Sequence, residues 1–141
     1  MSDPITAHEK PSRETPKAPW MRRLVLFLRT MAFVSLFKGM HHWSLVLGIG
    51  DGDGSTFESA TMPWQAATVF FAVIDLVAAV GLWLAAAWGG VVWLTAAISM
   101  AAIEMLFPQV YGGRLWIAIP EFIAIMIYIG LALMAGRERP A

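Results

Sequence analysis

Six of the ionisable residues that lie within apolar stretches of this 141-residue sequence are its first candidates for chemistry. They are Lys38, His41, His42, Asp75, Glu104 and Glu121. A charged group at the centre of a membrane costs about 2.5–3.5 kcal/mol, so such residues are rare there and either pair with one another or serve a function. The set therefore predicts an intramembrane polar cluster.

The depths of these residues follow from a helical rise of about 1.5 Å per residue. Lys38, Glu104 and Glu121 all come out about 9 Å from the same edge of the apolar core, with the two adjacent histidines just beyond them. Asp75 lies near the middle. We expect Lys38 to pair with Glu104 or Glu121, and one of the histidines to share the network.

The helical faces that carry these residues predict that they point into the protein. Lys38 shares a face with Ser35 and His42, three residues before it and four residues after it. Asp75 shares its face with small residues such as Ala72, which let a neighbouring backbone approach closely. The other two acids also lie on faces that carry alanine. We therefore expect the cluster to face protein and not lipid.

The interior charges predicted in this way do not balance. One cation, Lys38, faces three carboxyl groups, and isolated buried carboxylates tend to neutralise because their solvation is lost. Three solutions stay open: an acid is protonated, a histidine is charged, or Arg29 reaches Asp75. The cluster then either fixes helix register and partner choice, or it takes part in binding a substrate, proton or cofactor.

No metal or cofactor motif is complete in this sequence. The segment 51–55 begins like an EF-hand calcium loop, but its sixth position is Thr56 instead of glycine and its twelfth is Met62 instead of glutamate. A haem b site in a helix bundle needs axial histidines on separate helices, and the only histidine outside the adjacent pair is His8. One histidine with Glu104 and Glu121 stays geometrically possible as a metal site.

Catalytic motifs are missing as well. The sequence has no cysteine, which excludes disulfides, Cys-ligated zinc and thiol nucleophiles. It has no glycine-rich phosphate loop and no plausible Ser/His/Asp arrangement. We predict a protein that is not an enzyme and that has no catalytic residue, cofactor or metal.

The elements that must position the cluster are helices. Hydrophobic residues make up 58% and charged residues 14%, against roughly 45–50% and roughly 25% in soluble domains. Four apolar segments, at about residues 24–49, 64–87, 90–107 and 115–135, each have about the twenty residues that cross a bilayer. Spans of this kind must be helical, because lipid offers no partner for backbone polar groups. The sequence predicts an all-α membrane protein, a four-transmembrane-helix bundle.

The ends of these spans carry turn residues. We expect Gly89 and Gly90 to form the turn between the second and third helices, and Pro108 to end the third. Residues 1–21 are polar and rich in proline, so we expect a disordered cytoplasmic tail that precedes one transmembrane domain at residues 22–141.

The distribution of basic residues predicts the orientation. Both ends of the chain carry lysine or arginine, whereas the loop at residues 50–63 carries only acids. The positive-inside rule then puts both termini in the cytoplasm. Lys+Arg and Asp+Glu each total 10, so the chain lacks the basic excess that is typical of nucleic-acid binders.

Two stretches carry a resemblance to a known family. The stretch 37–43 reads Phe-Lys-Gly-Met-His-His-Trp, and the stretch 72–83 reads Ala-Val-Ile-Asp-Leu-Val-Ala-Ala-Val-Gly-Leu-Trp. From about Arg22 to Tyr111 the sequence resembles a family of short alphaproteobacterial integral membrane proteins of unknown function. It is more loosely similar to the DoxX-like group of four-helix bacterial membrane proteins, some of which accompany redox enzymes. The resemblance implies a bacterial inner-membrane location and brings no catalytic residues.

The size of the chain favours an accessory role. Four spans barely enclose a site, and their acids lie among small residues suited to helix association. We expect an accessory or scaffolding protein that contacts the lipid bilayer and associates with another membrane protein or with itself. The alternatives are a small oligomeric proton-coupled transporter or channel, in which Asp75 or Glu104 titrates, and a quinone- or haem-linked subunit of a membrane redox complex.

Overall fold

The described part of the chain folds into helices. This computed structural model describes residues 18–49 and 57–138. In chain order the elements are α1 Pro19–Val46, a 3-10 turn Phe57–Ser59, α2 Met62–Trp83, α3 Ala87–Leu106, a short α4 Pro108–Tyr111 and α5 Leu115–Arg137. The four longer helices are long and apolar enough to cross a membrane, which confirms the predicted all-α fold with four spans.

The four long helices pack in a ring, in which α1 contacts α2 and α5, and α3 contacts α2 and α5. Glu138, just after α5, accepts hydrogen bonds from the backbone N–H groups of Trp20 (3.1 Å) and Met21 (3.2 Å) at the start of α1. The start of α1 and the end of α5 therefore meet, and we call this end of the ring the terminal end. The opposite end, which holds α4 and the start of α5, is the loop end.

The first helix begins earlier than the sequence predicted. It starts at Pro19 instead of about Leu24, so residues 19–21 of the expected tail are helical. Proline suits the first turn because its missing N–H would have no partner there, and Glu138 supplies acceptors for the next two N–H groups. The rest of the expected tail, residues 1–17, and the segment 51–55 that begins like a calcium loop lie outside the described residues.

The predicted break at Gly89 and Gly90 is wrong. The chain turns at residues 84–86, where Ala85 has a positive φ of 51°, and both glycines lie in the first turn of α3. A Cβ on Gly89 would overlap the backbone of Gly81 in α2, and one on Gly90 would lie 2.8 Å from the Tyr128 hydroxyl. The glycines thus permit a close approach between helices, and they do not end one.

The terminal half of the ring has an apolar core. Leu28 and Ala32 from α1 pack with Ala78 and Leu82 from α2 and with Trp93 from α3. Every one of these side chains is buried. The buried charged residues of the described chain lie outside this core, in the loop half.

The chain turns from α3 into α5 at the loop end. Pro108 ends the third span as predicted and begins α4. Gly112 and Gly113 then adopt φ values of 88° and 62°, which only glycine adopts without strain. This turn brings α4 and the first residues of α5 over the polar half of the interior.

Candidate functional site

Lys38 in α1 is the cation at the centre of the site. Its Nζ lies 2.5 Å from Glu121 Oε1 in α5 and 3.9 Å from Asp75 Oδ1 in α2. The side chain of Lys38 keeps 25% of its surface exposed, whereas Asp75 and Glu121 are buried. The structure therefore joins three helices through one ammonium group, and of the two partners predicted for Lys38 it selects Glu121.

Asp75 is the most deeply buried acid of the site. Its exposed fraction is 0%, and neither of its oxygens accepts a hydrogen bond from any described residue. The buried face of α2 carries it, together with Thr68 and Ala72, as the helical spacing predicted. A buried polar group without a hydrogen bond is rare in folded proteins and calls for an explanation from water, an ion or a function.

His42 stands beside Asp75, one helical turn after Lys38. Its Nδ1 lies 2.8 Å from the carbonyl oxygen of Lys38 and 3.9 Å from Asp75 Oδ2. Because a carbonyl oxygen only accepts, Nδ1 must carry the hydrogen, and in the neutral ring Nε2 is then the acceptor. His41 is exposed, and its ring stands 5.7 Å from that of His42, so it borders the cluster without joining the ion pairs.

Glu104 has a separate partner. It is buried in α3, and its Oε2 accepts a 2.7 Å hydrogen bond from the backbone N–H of Arg114. This bond ties the end of α3 to the start of α5. The other cation that the sequence offered for Asp75 is Arg29, and its guanidinium lies over the Trp83 ring instead, 5.3 Å from the centroid. The solution in which Arg29 reaches Asp75 is therefore wrong.

Tyr111, which sequence reasoning missed, completes the site from α4. Its hydroxyl lies 3.1 Å from that of Thr68, and its ring packs near His42 with centroids 6.4 Å apart. Burial raises the pKa of the Tyr111 hydroxyl above its ordinary value, and the hydrogen bond to Thr68 offsets part of that rise. No local pattern marks Tyr111, because only the fold of α4 over the ring brings it inward.

Gly39, also missed as a site residue, sets the distance between α1 and α2. A Cβ at this position would lie 2.8 Å from Leu76 Cγ and 3.3 Å from the Leu76 backbone nitrogen. Leu76 follows Asp75, so the close approach at Gly39 is what brings Lys38 near that carboxyl. The signal was present in the sequence, since Ser35 and Gly39 form a small-x-x-x-small pair typical of packed membrane helices.

A cavity of about 600 Å³ lies at the loop end against this cluster. Its polar lining consists of Lys38, His41, His42, Glu104, Tyr111, Arg114 and Glu121, and its larger apolar walls include Trp64, Met100 and Trp116. The formal charges of the lining balance, with two cations and two carboxylates and the histidines taken as neutral. Cavities of this size and lining are typical of small-molecule sites.

The sequence left open a metal site formed by one histidine with Glu104 and Glu121. Within the described ranges, no group of three His, Asp or Glu side chains converges as metal ligands. The nearest candidates are engaged elsewhere, because Glu121 pairs with Lys38 and Glu104 accepts from Arg114. The chemistry that the described cluster offers is charge pairing and hydrogen bonding.

Comparison with known proteins identifies a family. The sequence profile of one family matches residues 22–139, which include all four spans except the first residues of α1. The chain belongs to family DUF6163, a family of unknown function. No curated protein and no solved structure matches the chain. The DUF6163 match confirms the predicted likeness to a family of unknown function, while alphaproteobacterial origin and DoxX-like similarity stay predictions.

Proposed function

We propose that this protein is an accessory membrane protein that binds a small amphipathic ligand in the cavity at the loop end. The proposal includes a bacterial inner membrane with both termini in the cytoplasm, so that the cavity faces the outer side. The arginines near the terminal end support this orientation, since cationic residues accumulate on the cytoplasmic side. The protein acts in this proposal by binding and not by catalysis.

One observation carries the proposal: the buried ion-pair cluster borders a cavity whose walls are mostly apolar. Four spans with no function in their interior would pack more simply with apolar side chains, because buried ion pairs rarely add net stability. The cavity volume of about 600 Å³ falls in the range that encloses a drug-sized molecule. The charged lining and the tryptophans together suit a ligand with a polar end and a hydrocarbon body.

The charge balance of the lining narrows the class of ligand. Lys38 already pairs with Glu121, and Glu104 accepts from the Arg114 backbone, so a ligand of large net charge would leave one partner uncompensated. We therefore propose a neutral or zwitterionic molecule. If the bound molecule is redox-active, the protein would be a subunit of a membrane redox complex, which is the third function considered from the sequence.

A second candidate function is a proton-coupled transporter, and the observation that favours it is Asp75. A fully buried carboxyl that accepts no hydrogen bond from the described residues, between an ammonium and an imidazole, is suited to exchanging a proton. The apolar core at Leu28, Leu82 and Trp93 argues against it, because a proton path needs polar groups or water on both sides of Asp75. Transport would require either an opening of this core or a path between copies.

Association with other chains is part of the accessory proposal. The described residues bury only 11% of the most apolar stretch of α5 and 22% of that of α1. These faces meet either lipid, a partner helix or a second copy. The proposal is that one such face joins another membrane protein while the cavity stays open.

The proposal is tested by identifying the small molecules that co-purify with the protein. The wild type is purified from native membranes in mild detergent, and small molecules released by solvent extraction are identified by mass spectrometry. Glu121→Gln disturbs the polar end of the cavity, and Trp116→Ala removes an exposed part of the apolar wall without touching an ion pair. Arg137→Gln, at the terminal end, is the matched control.

The expected result is one neutral or zwitterionic molecule at a near-stoichiometric level in the wild type and the Arg137→Gln variant, with at least a tenfold loss in the two cavity variants. If the wild type carries every detected molecule at the same level as the cavity variants do, the binding proposal is contradicted. Proton flux in liposomes containing this protein alone, abolished by Asp75→Asn, would favour the transporter instead.

A further inference from the structure

We propose that the groove between α1 and α2 at the terminal end binds an anionic phospholipid, with the phosphate on Arg22 and Arg29 and an acyl chain against α2. This site is separate from the loop-end cavity and goes beyond the proposed function. It combines two neighbouring surfaces, a basic cavity on α1 and an apolar groove between α1 and α2.

The basic cavity has a volume of about 680 Å³ and is lined by the first turns of α1, including Arg22, Arg23 and Arg29. No carboxylate of the described residues lines it. Two of the guanidinium groups lie over aromatic rings, Arg23 at 4.6 Å from the Trp20 centroid and Arg29 at 5.3 Å from that of Trp83. None of the three forms an ion pair with a described acid, so their charge is available to an anion.

The apolar groove is connected to the basic cavity by the contact of Arg29 with Trp83. Its volume is about 400 Å³, its lining includes Phe33, Leu36, Ala79, Val80 and Trp83, and no polar atom of the described chain faces it. The rings of Phe33 and Trp83 meet edge to face with centroids 5.5 Å apart. A surface of this kind fits a hydrocarbon chain.

Helical register aligns the two surfaces. Arg22, Arg29 and Leu36 follow one another at seven-residue intervals, and Phe33 lies four residues after Arg29, so all four lie on one stripe of α1. The Arg29 guanidinium stacks on Trp83, a wall of the groove. A molecule that places its anion on this stripe therefore meets the groove with its tail.

Charge complementarity favours lipid over a second copy of this chain. At the terminal end, the acid among the described residues is Glu138, and its two oxygens already accept from the Trp20 and Met21 N–H groups. A second copy in the same orientation thus offers the arginines, from its described residues at this end, only a carboxylate that is already engaged. An anionic phospholipid supplies both the charge and the hydrocarbon.

The experiment is native mass spectrometry of the purified full chain titrated with dioleoylphosphatidylglycerol or dioleoylphosphatidylcholine. The wild type should bind the anionic lipid preferentially, and Arg29→Gln and Arg22→Gln should each weaken that binding about fivefold. Arg137→Gln, at the same end but on α5, should leave it unchanged. Val80→Phe fills the groove from an exposed position, and it should also weaken binding, whereas Val73→Phe, exposed on the same helix outside the groove, should not.

Three outcomes would overturn the proposal. Equal binding of the two lipids by the wild type would remove its charge basis. Equal losses in Arg29→Gln and Arg137→Gln would mean general attraction to the cationic end. Binding that Val80→Phe leaves intact and that inorganic phosphate displaces would assign the basic cavity to a free anion and not to a lipid in the groove.

Discussion

Lys38 Nζ in α1 and Glu121 Oε1 in α5 lie 2.5 Å apart across the interior of the protein, although 83 positions separate them in the chain. The same ammonium lies 3.9 Å from Asp75 Oδ1 in α2. One cation therefore serves two carboxyl groups and connects three of the four long helices. The contribution of this connection to stability can be measured.

Replacing Lys38 with methionine should lower the free energy of unfolding in detergent by about 2 kcal/mol, because it leaves Glu121 buried without its counter-charge. The loss is smaller than for a fully buried pair because the Lys38 side chain retains 25% exposure to solvent. Adding Glu121→Gln should recover about 1 kcal/mol of this loss in a double-mutant cycle.

The matched control for this cycle is Glu104→Gln. Glu104 accepts from the Arg114 backbone and forms no ion pair with Lys38 in the described structure. Its effect should therefore add to that of Lys38→Met without recovery. Recovery through Glu104 and not through Glu121 would reverse the assignment of partners.

Gly39→Ala should destabilise the protein by about 1–3 kcal/mol, because the new methyl group would force α1 away from α2. Its Cβ would lie 2.8 Å from Leu76 Cγ and 3.3 Å from the Leu76 backbone nitrogen. Gly130→Ala in α5 is the control, since within the described residues no atom beyond its own helical turn lies within 4 Å of a Cβ there. Thermal unfolding in detergent compares the two, and equal melting temperatures would contradict the close approach at Gly39.

The sequence predicted which residues gather, but it could not select their partners. Helical rise placed Lys38, Glu104 and Glu121 at one depth, and small-residue faces predicted that Asp75 points inward; each of these acids is buried in the structure. Angles within one helix do not say which neighbouring helix lies opposite. The choice of Glu121 over Glu104 therefore needed the packing order of the ring.

Two other features depend on contacts distant in sequence. The start of α1 at Pro19 is associated with the Glu138 carboxylate, 118 positions away from Trp20, and no pattern near Pro19 could signal it. A pair of glycines such as Gly89 and Gly90 is compatible either with a turn or with a close approach between two helices. Their closeness to Gly81 in α2 and Tyr128 in α5 shows that they permit a close approach between helices.

Tyr111→Phe should cost about 1–2 kcal/mol of stability, because it leaves the buried Thr68 hydroxyl without its partner. The double variant with Thr68→Val should recover part of that loss. Chemical unfolding followed by circular dichroism measures both. A Tyr111→Phe variant as stable as the wild type would contradict the hydrogen bond.

The same tyrosine predicts a pH dependence. Its pKa is raised in the folded protein, mainly by burial, so the folded state holds this proton more tightly than the unfolded chain. Stability from this source is full below the ordinary phenol pKa of about 10 and is lost as pH rises above it. The wild type should therefore lose stability above that pH faster than Tyr111→Phe does, and parallel curves would contradict the prediction.

Glu138→Ala should free the start of α1. The substitution removes the acceptors of the Trp20 and Met21 N–H groups, an effect of about 1 kcal/mol for a helix N-terminus. Hydrogen–deuterium exchange should become faster at residues 20–22 and stay unchanged at the middle of α1. Arg137→Ala is the control, and equal exchange in both variants would show that Glu138 does not cap the helix.

Water access to the loop-end cavity tests the central claim most directly. The chain has no cysteine, so single thiols can be introduced at Met100, which lines the cavity, and at Ile98, which is exposed on the opposite side of α3 at a similar depth. A membrane-impermeant maleimide should label Met100→Cys from one side of the membrane only and leave Ile98→Cys unlabelled. Labelling of Ile98→Cys alone, or of neither thiol, would contradict a water-accessible cavity inside the ring.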